Sequence, residues 1–338
     1  MKPAAPVLIV LLLLVVVVSG CTVPGTDIEI PGIPEIFGGG TQIDYTDDII
    51  VIRSLQVTPS TKVKAGQTLT LYADIQNVQD PGKASGDDVE VTVNLYDHCT
   101  SLFDVLDING GEPETGTSTK LKMSPQEIDT VSWELRADDV KLITPCELKV
   151  KVEYTYATET VTSVTFIDDG ELQDRIRRGE SWKVSGSTTR GYGPVKVYMA
   201  VETQQPVSDE TQASISLKIR NDGNGYVKDS RILKGPEDDS ADSYFVPPML
   251  SNGNILEWKD DNGNPTEPCD FTYSEEADDT GAMVEAVKII RKESTPKFCN
   301  IGVKDGDAID VEQTYTVSSK VGYTYEFRKS LTVQAEPK

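Results

Sequence analysis

The chain has 338 residues, with 55 acidic and 32 basic side chains and a formal net charge of −23. So large an excess of negative charge repels nucleic acid and anionic lipid head groups, and it disfavours a DNA-binding or membrane-coating protein. The length predicts two domains. The acidity fits solubility, a salty habitat or a cationic partner, and composition does not choose among them.

Residues 1–20 have the layout of a secretory signal peptide, with Lys2 before an apolar run from Val7 to Val18. The stretch Val18-Ser19-Gly20-Cys21 resembles the lipobox of prokaryotic, in particular archaeal, lipoproteins. The resemblance implies cleavage before Cys21 and a lipid on its sulfur. The chain would then sit on the outer face of the cytoplasmic membrane, bound through the lipid. An uncleaved anchor is the alternative, but the run is shorter than the about 20 apolar residues that span a bilayer.

Prolines and glycines recur in residues 21–46, among them Pro24, Pro31 and Gly38-Gly39-Gly40. No amphipathic period is sustained there. We therefore expect a tether that lifts the first folded unit away from the membrane.

Residues 47–168 alternate between apolar and polar side chains, which is typical of half-buried strands. The apolar set of Thr68–Ile75 is Leu69, Leu71, Ala73 and Ile75, and the longest run is Leu148, Val150, Val152, Tyr154 and Tyr156. Turn residues such as Pro81-Gly82 separate these runs. Short strands with this punctuation predict an immunoglobulin-like β-sandwich.

A polar linker over residues 169–193, with a short helix at 170–178, leads to a second predicted sandwich at 194–335. The stretch Lys151–Tyr156 matches Lys320–Tyr325 at five of six positions, which indicates two copies of one fold. Residues 280–293 place Met283, Val287 and Ile290 on one helical face, so a helical insertion is expected in the second copy.

The cysteine count is odd, and lipidation of Cys21 accounts for the odd one. The other four are even in number in an exported chain, where disulfides are the default. Three pairings are possible. The repeat favours one bond within each domain, Cys99 with Cys146 and Cys269 with Cys299.

Two stretches resemble bacterial and archaeal immunoglobulin-like modules of the CARDB type. They are Gly66–Leu71 running on to Ile75-x-Asn77, and Ile219-x-Asn221-x-Gly223-x-Gly225 in the second copy. The resemblance implies extracytoplasmic spacing or adhesion modules, and it implies no catalytic residues. The fold class that we predict is all-β, with two tandem immunoglobulin-like sandwiches.

The sequence contains no motif of a catalytic site. The single histidine, His98, lies beside Cys99 and is interpreted as a loop residue, and no nucleophile elbow, zinc-protease or phosphate-loop pattern occurs. We expect no cofactor. A structural calcium ion is the one metal considered, with Asp305, Asp307 and Asp310 as ligands, because calcium binds flexible loops rich in carboxylates. Solvated acidic turns are the alternative.

These observations favour a non-catalytic, lipid-anchored cell-surface protein that serves as an adhesion, binding or spacer module for a surface protein or glycan. An accessory subunit of a membrane transport, secretion or filament assembly is the alternative, and an extracellular hydrolase is a third. Tyr154, Tyr156, Tyr323 and Tyr325 could form an aromatic binding platform. Core packing is the preferred interpretation, since Val152 and Val321 share their strand faces.

Overall fold

The computed structural model describes residues 47–80, 88–181, 183–228, 231–234, 243–266, 269, 274–277, 283–304 and 309–338. Residues from Tyr45 to Lys338 form one compact unit. The predicted signal peptide with Cys21 and the predicted tether lie outside the described residues. Within those residues, no helix has both the length and the apolar character that a membrane crossing requires.

Strands dominate the described part of the chain. In order, they are β1 (Ile50–Thr58), β2 (Lys62–Lys64), β3 (Thr68–Asn77), β4 (Val89–Asp97), β5 (Phe103–Asn109), β6 (Glu112–Thr115), β7 (Ser118–Met123), β8 (Ile128–Ala137), β9 (Thr144–Ile167), β10 (Thr188–Arg190), β11 (Val195–Val201), β12 (Val207–Ser208), β13 (Gln212–Asn221), β14 (Tyr226–Val227), β15 (Arg231–Lys234), β16 (Ser243–Leu250), β17 (Leu256–Lys259), β18 (Ser274–Ala277), β19 (Met283–Lys288), β20 (Lys297–Val303) and β21 (Glu312–Glu336). One helix, α1 (Asp169–Arg178), lies between β9 and β10.

The strands form two β-sandwiches, which confirms the predicted all-β fold class. A four-stranded sheet of order β1-β3-β8-β5 belongs to the first half, and a four-stranded sheet of order β11-β13-β20-β17 belongs to the second. A thirteen-stranded sheet, with the main path β18-β19-β15-β16-β21-β9-β4-β7-β6, contributes to both halves. The two small sheets place corresponding strands in the same order, as two copies of one fold would.

The alternating pattern explains why these segments pair as sheets. Leu69, Leu71, Ala73 and Ile75 of β3 are all at most 1% exposed, whereas the residues between them face outward or are half-buried. Trp133 on the neighbouring strand β8 is fully buried. One apolar face per strand is thereby removed from water, and this burial is the main favourable term in folding.

Strands β9 and β21 run through both halves. They pair antiparallel along their whole length, from Thr144 opposite Ala335 to Ile167 opposite Glu312. At about 3.3 Å per residue such a strand extends over roughly 80 Å. The end of β21 therefore lies in the first sandwich, where β2 adds to it in parallel. The sequence-based division, which assigns residues 194–335 to the second domain, does not anticipate this shared strand.

The two copies meet at the centre of this ladder. Tyr154 lies opposite Tyr325, Tyr156 lies opposite Tyr323, and Thr155 lies opposite Thr324 between them. Because the repeated segments pair with each other in antiparallel fashion, an approximate local twofold axis passes through the threonine pair.

The expected helical insertion at residues 280–293 is wrong. Strand β19 occupies Met283–Lys288 and pairs antiparallel with both β15 and β18. Val287 is fully buried and Ile290 is 59% exposed, so the two do not share a buried helical face. A spacing of four residues fits one face of a strand as well as one face of a helix. Here the two neighbouring strands supply hydrogen-bond partners for the backbone N–H and C=O groups of β19.

The short helix of the predicted linker is present as α1. Asp168 is its N-cap, because the Asp168 side chain accepts a hydrogen bond from the Glu171 backbone N–H at 2.8 Å. Gly179 ends the helix in the left-handed conformation, with φ of 68°. This conformation favours glycine, since glycine lacks a β-carbon. Trp182, in the same linker, lies outside the described residues.

Candidate functional site

The aromatic strands form a packed cluster at the junction of the two sandwiches. The Tyr154 and Tyr325 ring centroids are 5.7 Å apart, and those of Tyr156 and Tyr323 are 6.4 Å apart. Tyr154, Tyr323 and Tyr325 are at most 2% exposed. Core packing, the preferred interpretation of these residues, is therefore what the structure shows. Burial is the largest cause of the raised pKa of both the Tyr323 and Tyr325 hydroxyls.

Polar groups join the beginning of the described chain to the second half at this junction. Both carboxylate oxygens of the buried Asp48 accept from the Asn224 backbone N–H at 3.1 Å. The Tyr325 hydroxyl donates to Asn221 Oδ1 at 3.0 Å. Burial raises the pKa of Tyr325, and the negative charge of Asp48 raises it further. Next to it, Asp47 forms an ion pair with Lys196 at 2.9 Å.

The residues shared by the repeat have the same local role. Asn77 Oδ1 accepts from the backbone N–H of Gln79 at 3.0 Å, and Asn221 Oδ1 accepts from that of Gly223 at 3.0 Å. Each asparagine closes a turn directly after its strand through a side-chain-to-backbone hydrogen bond. These asparagines are structural residues.

The structure pairs the cysteines within each half. Cys99 is bonded to Cys146, with their Cα atoms 6.1 Å apart, and Cys269 is bonded to Cys299 at 5.8 Å. Both separations lie in the ordinary range for disulfides. This is the pairing that the repeat favours. His98 lies in the loop before β5, next to the first of these bonds.

The predicted calcium ligands are only partly described. Asp310 is exposed near the end of the loop before β21, and Asp305 and Asp307 lie outside the described residues. In the part of the chain that the structure describes, no group of three or more His, Cys, Asp or Glu side chains is arranged to hold a metal ion. The calcium site remains a prediction.

A pair of carboxylates lies on the outer face of the large sheet, where Glu153 and Glu326 are cross-strand neighbours. Lys151 Nζ is 2.8 Å from Glu153 and 3.8 Å from Glu326, and Arg328 forms an ion pair with Glu326. Burial opposes ionisation of Glu153, but the hydrogen bond and charge of Lys151 outweigh it and lower its pKa. Both groups are therefore neutralised by fixed cations, which suits a structural network better than acid–base chemistry.

A polar cleft of about 620 Å³ lies at the beginning of α1. The charged side chains that line it are Asp168, Asp169, Asp209, Glu210, Lys259 and Lys304. Asp168 caps the helix, and Asp209 Oδ1 accepts from the Asp169 backbone N–H at 3.1 Å. Asp168 and Asp209 are therefore engaged in the hydrogen bonds that hold this turn.

The outer face of the sheet β11-β13-β20-β17 combines aromatic rings with cations. Arg190 Cζ lies 4.3 Å from the centre of the Tyr198 ring, Arg220 Cζ lies at 5.7 Å and Lys218 Nζ lies at 5.9 Å. These are cation–π distances. The Tyr198 hydroxyl donates to Asp222 and is thereby fixed in place.

Beside this cluster is a concavity of about 330 Å³. Ala200 on β11 lies opposite Ser216 on β13, which lies opposite Phe298 on β20. The first two side chains are small and form a floor, whereas Phe298 rises at one side and is 63% exposed. We call the surface formed by Arg190, Tyr198, Ser216, Lys218 and Phe298 the Tyr198 face.

Sequence reasoning missed the Tyr198 face, although part of its signal was available. The alternation of Val195, Val197 and Met199 marks their strand as half-buried and leaves Tyr198 facing outward. The register that brings Phe298 beside Ser216 could not be read from the chain, because it depends on pairing across 82 positions.

No family model matches the chain, and no curated protein matches it. Among solved structures, the chain is similar to the collagen adhesin (CNA) from S. aureus, with 9% sequence identity, 86% of this chain and 94% of that chain covered and a TM-score of 0.15. A TM-score this low supports no argument about fold or function.

Proposed function

We propose that this chain is a non-catalytic, lipid-anchored protein of the cell surface that acts as an adhesion, binding or spacer module. Lipid on Cys21 would fix it to the outer face of the cytoplasmic membrane, and residues 21–46 would set its distance from that membrane. The two sandwiches would then present their outer faces to a surface protein or a glycan.

The observation that supports this proposal is the β9–β21 ladder. Because both strands continue from one sandwich into the other, the halves are joined by paired backbone along the whole of Thr144–Ile167. The Asp48–Asn224 hydrogen bonds add a second connection. A body joined in this way holds its binding faces at a constant separation, which suits a spacer or an adhesion module.

The anchoring part of the proposal can be tested in intact cells. Wild-type protein should label with a membrane-impermeant amine reagent and sediment with membranes. Cys21→Ser should abolish lipidation and lipobox processing, so its intact mass should lack the lipid adduct and no longer show the loss of residues 1–20. Cys99→Ser is the matched control, because it removes a different cysteine and should leave lipidation unchanged. Absence of surface labelling, or a wild-type mass without lipid, would contradict the anchor.

The accessory-subunit alternative is favoured by one feature of the first half. Leu142 and Ile143, adjacent in the loop before β9, are 77% and 61% exposed. Exposed neighbouring aliphatic side chains are typical of docking sites on partner proteins. Crosslinking in intact cells distinguishes the two functions, because an accessory subunit gives one stoichiometric membrane-protein partner that Leu142→Ser with Ile143→Ser abolishes.

A further inference from the structure

We propose that the Tyr198 face binds an acidic oligosaccharide, with the Arg190 guanidinium on a sugar carboxylate and the rings of Tyr198 and Phe298 against sugar rings. This inference deepens the proposed binding function and rests on it. It does not depend on the lipid anchor, so the experiments on Cys21 and on this face can fail independently.

The charges on the Tyr198 face determine the sign of the charge that a ligand should carry. Lys218 pairs with Glu293 at 3.2 Å and Arg220 pairs with Asp222 at 2.7 Å. Arg190 forms no ion pair with any residue that the structure describes, and its Cζ lies over the Tyr198 ring at 4.3 Å from the centre. Arg190 is exposed, so the N–H groups of its guanidinium are available for a carboxylate, which it can bind through two parallel hydrogen bonds.

The net charge of −23 does not prevent an acidic ligand from binding here. At physiological ionic strength, exposed charges are largely screened beyond about 8 Å. Arg190, Lys218 and Arg220 lie within 6 Å of the Tyr198 ring centre. Glu293 pairs with Lys218 and Asp222 pairs with Arg220, so Arg190 is the cation of this cluster that is left for a ligand carboxylate.

The arrangement of the rings suits an oligosaccharide. Tyr198 on β11 and Phe298 on β20 are separated by two inter-strand spacings and by two residues along the strand direction, which places their Cα atoms roughly 12 Å apart. The floor between them consists of Ala200 and Ser216, so a ligand of several rings can lie flat across it. Ser216 donates to Glu202, and both groups are placed to exchange hydrogen bonds with sugar hydroxyls.

An acidic peptide fits this face less well. Ser216 at the centre of the floor lies on β13, which pairs with both β11 and β20, so a peptide strand cannot add to the sheet there. An acidic sugar ring carries one carboxylate and several hydroxyl groups. The carboxylate matches the available guanidinium of Arg190, and the hydroxyl groups match the hydrogen-bond acceptors around it.

The test is calorimetric titration of the full chain, purified in detergent at physiological salt, with hexagalacturonate. Maltohexaose serves as the neutral sugar and hexaglutamate as the acidic peptide. We expect binding of hexagalacturonate alone. Arg190→Gln should weaken it about tenfold or more, and Phe298→Ala about fivefold or more. Arg190→Lys should weaken binding less than Arg190→Gln, because lysine keeps the positive charge and loses only the pair of parallel hydrogen bonds that a guanidinium can donate.

Tyr226→Ala is the matched control, because Tyr226 is 62% exposed and Arg328 lies 5.8 Å from its ring centre on a different sheet. It should leave the affinity unchanged. The proposal is overturned if hexagalacturonate does not bind, if Arg190→Gln and Phe298→Ala bind it as well as wild type, or if Tyr226→Ala weakens binding equally. If maltohexaose binds as tightly as hexagalacturonate, the proposed role of charge is refuted. If hexaglutamate binds more tightly than hexagalacturonate, the ligand of this face is an acidic peptide and the sugar proposal is refuted.

Discussion

Replacing Asp48 tests whether the junction holds the two halves together. The side chain is 1% exposed, and its two oxygens accept from the Asn224 backbone N–H. Asp48→Ala removes both carboxylate acceptors of this N–H group from the junction. Hydrogen bonds to charged groups contribute about 1.5–3 kcal/mol. We therefore expect the free energy of unfolding to fall by about 1.5–3 kcal/mol.

The assay is equilibrium unfolding in urea, followed by tryptophan fluorescence. Trp133 lies in the first half and Trp258 in the second, so the signal reports on both. With a slope of about 3 kcal/mol per molar urea, the midpoint should move by about 0.5–1 M. Because the contact joins the halves, variants that retain Trp133 or Trp258 alone should show the same shift.

Asp139→Ala is the control for this experiment. Asp139 is also an aspartate with a close partner, Lys338 at 2.9 Å, but its side chain is 77% exposed. An exposed pair contributes at most about 1 kcal/mol. If Asp48→Ala shifts the midpoint no more than Asp139→Ala does, the proposed role of the junction is refuted. A shift in only one half would refute the coupling.

Three further predictions concern the core and the disulfides. Burial raises the pKa of Tyr323 and Tyr325, so the stability that these side chains contribute is complete below the unfolded-state pKa of about 10 and is lost as the pH rises beyond it. Tyrosinate absorbance should show both hydroxyls ionising only as the protein unfolds. Reversible ionisation of every tyrosine in the folded state would contradict this prediction. Cys99→Ser with Cys146→Ser should lower the free energy of unfolding by about 4 kcal/mol for a separation of 47 residues, measured by urea midpoint against the intact protein. Gly223→Ala should cost about 1–3 kcal/mol, because a β-carbon there collides with the junction side chains, and an unchanged thermal midpoint would count against that geometry.

Strand periodicity was the part of the fold that could be predicted. Residues such as Leu69 and Val150 alternate because one face of each strand packs and the other meets water, and this pattern is local. The two asparagines, Asn77 and Asn221, were detectable for the same reason, since each acts within its own turn. The cysteine pairing followed from the repeat, which is also a property of the chain alone.

The shared ladder and the Tyr198 face depend on contacts between distant parts of the chain. The match of Lys151–Tyr156 to Lys320–Tyr325 indicated two similar strands, but it could not show that these strands pair with each other. The sequence of residues 280–293 predicts a helix because a spacing of four residues fits both a helix and a strand. Only the neighbouring strands decide between them, and those neighbours are set by tertiary packing.

The continuity of β21 determines the order in which the protein can fold. Its second half, from Glu326 to Ala335, pairs with Glu153 to Thr144 in the first sandwich, so that sandwich lacks a central strand until residues 326–335 have been synthesised. The halves cannot mature one after the other in the manner of independent domains, and contacts of such long sequence separation form slowly. A nascent chain of this kind stays incompletely folded for as long as its last strand is missing.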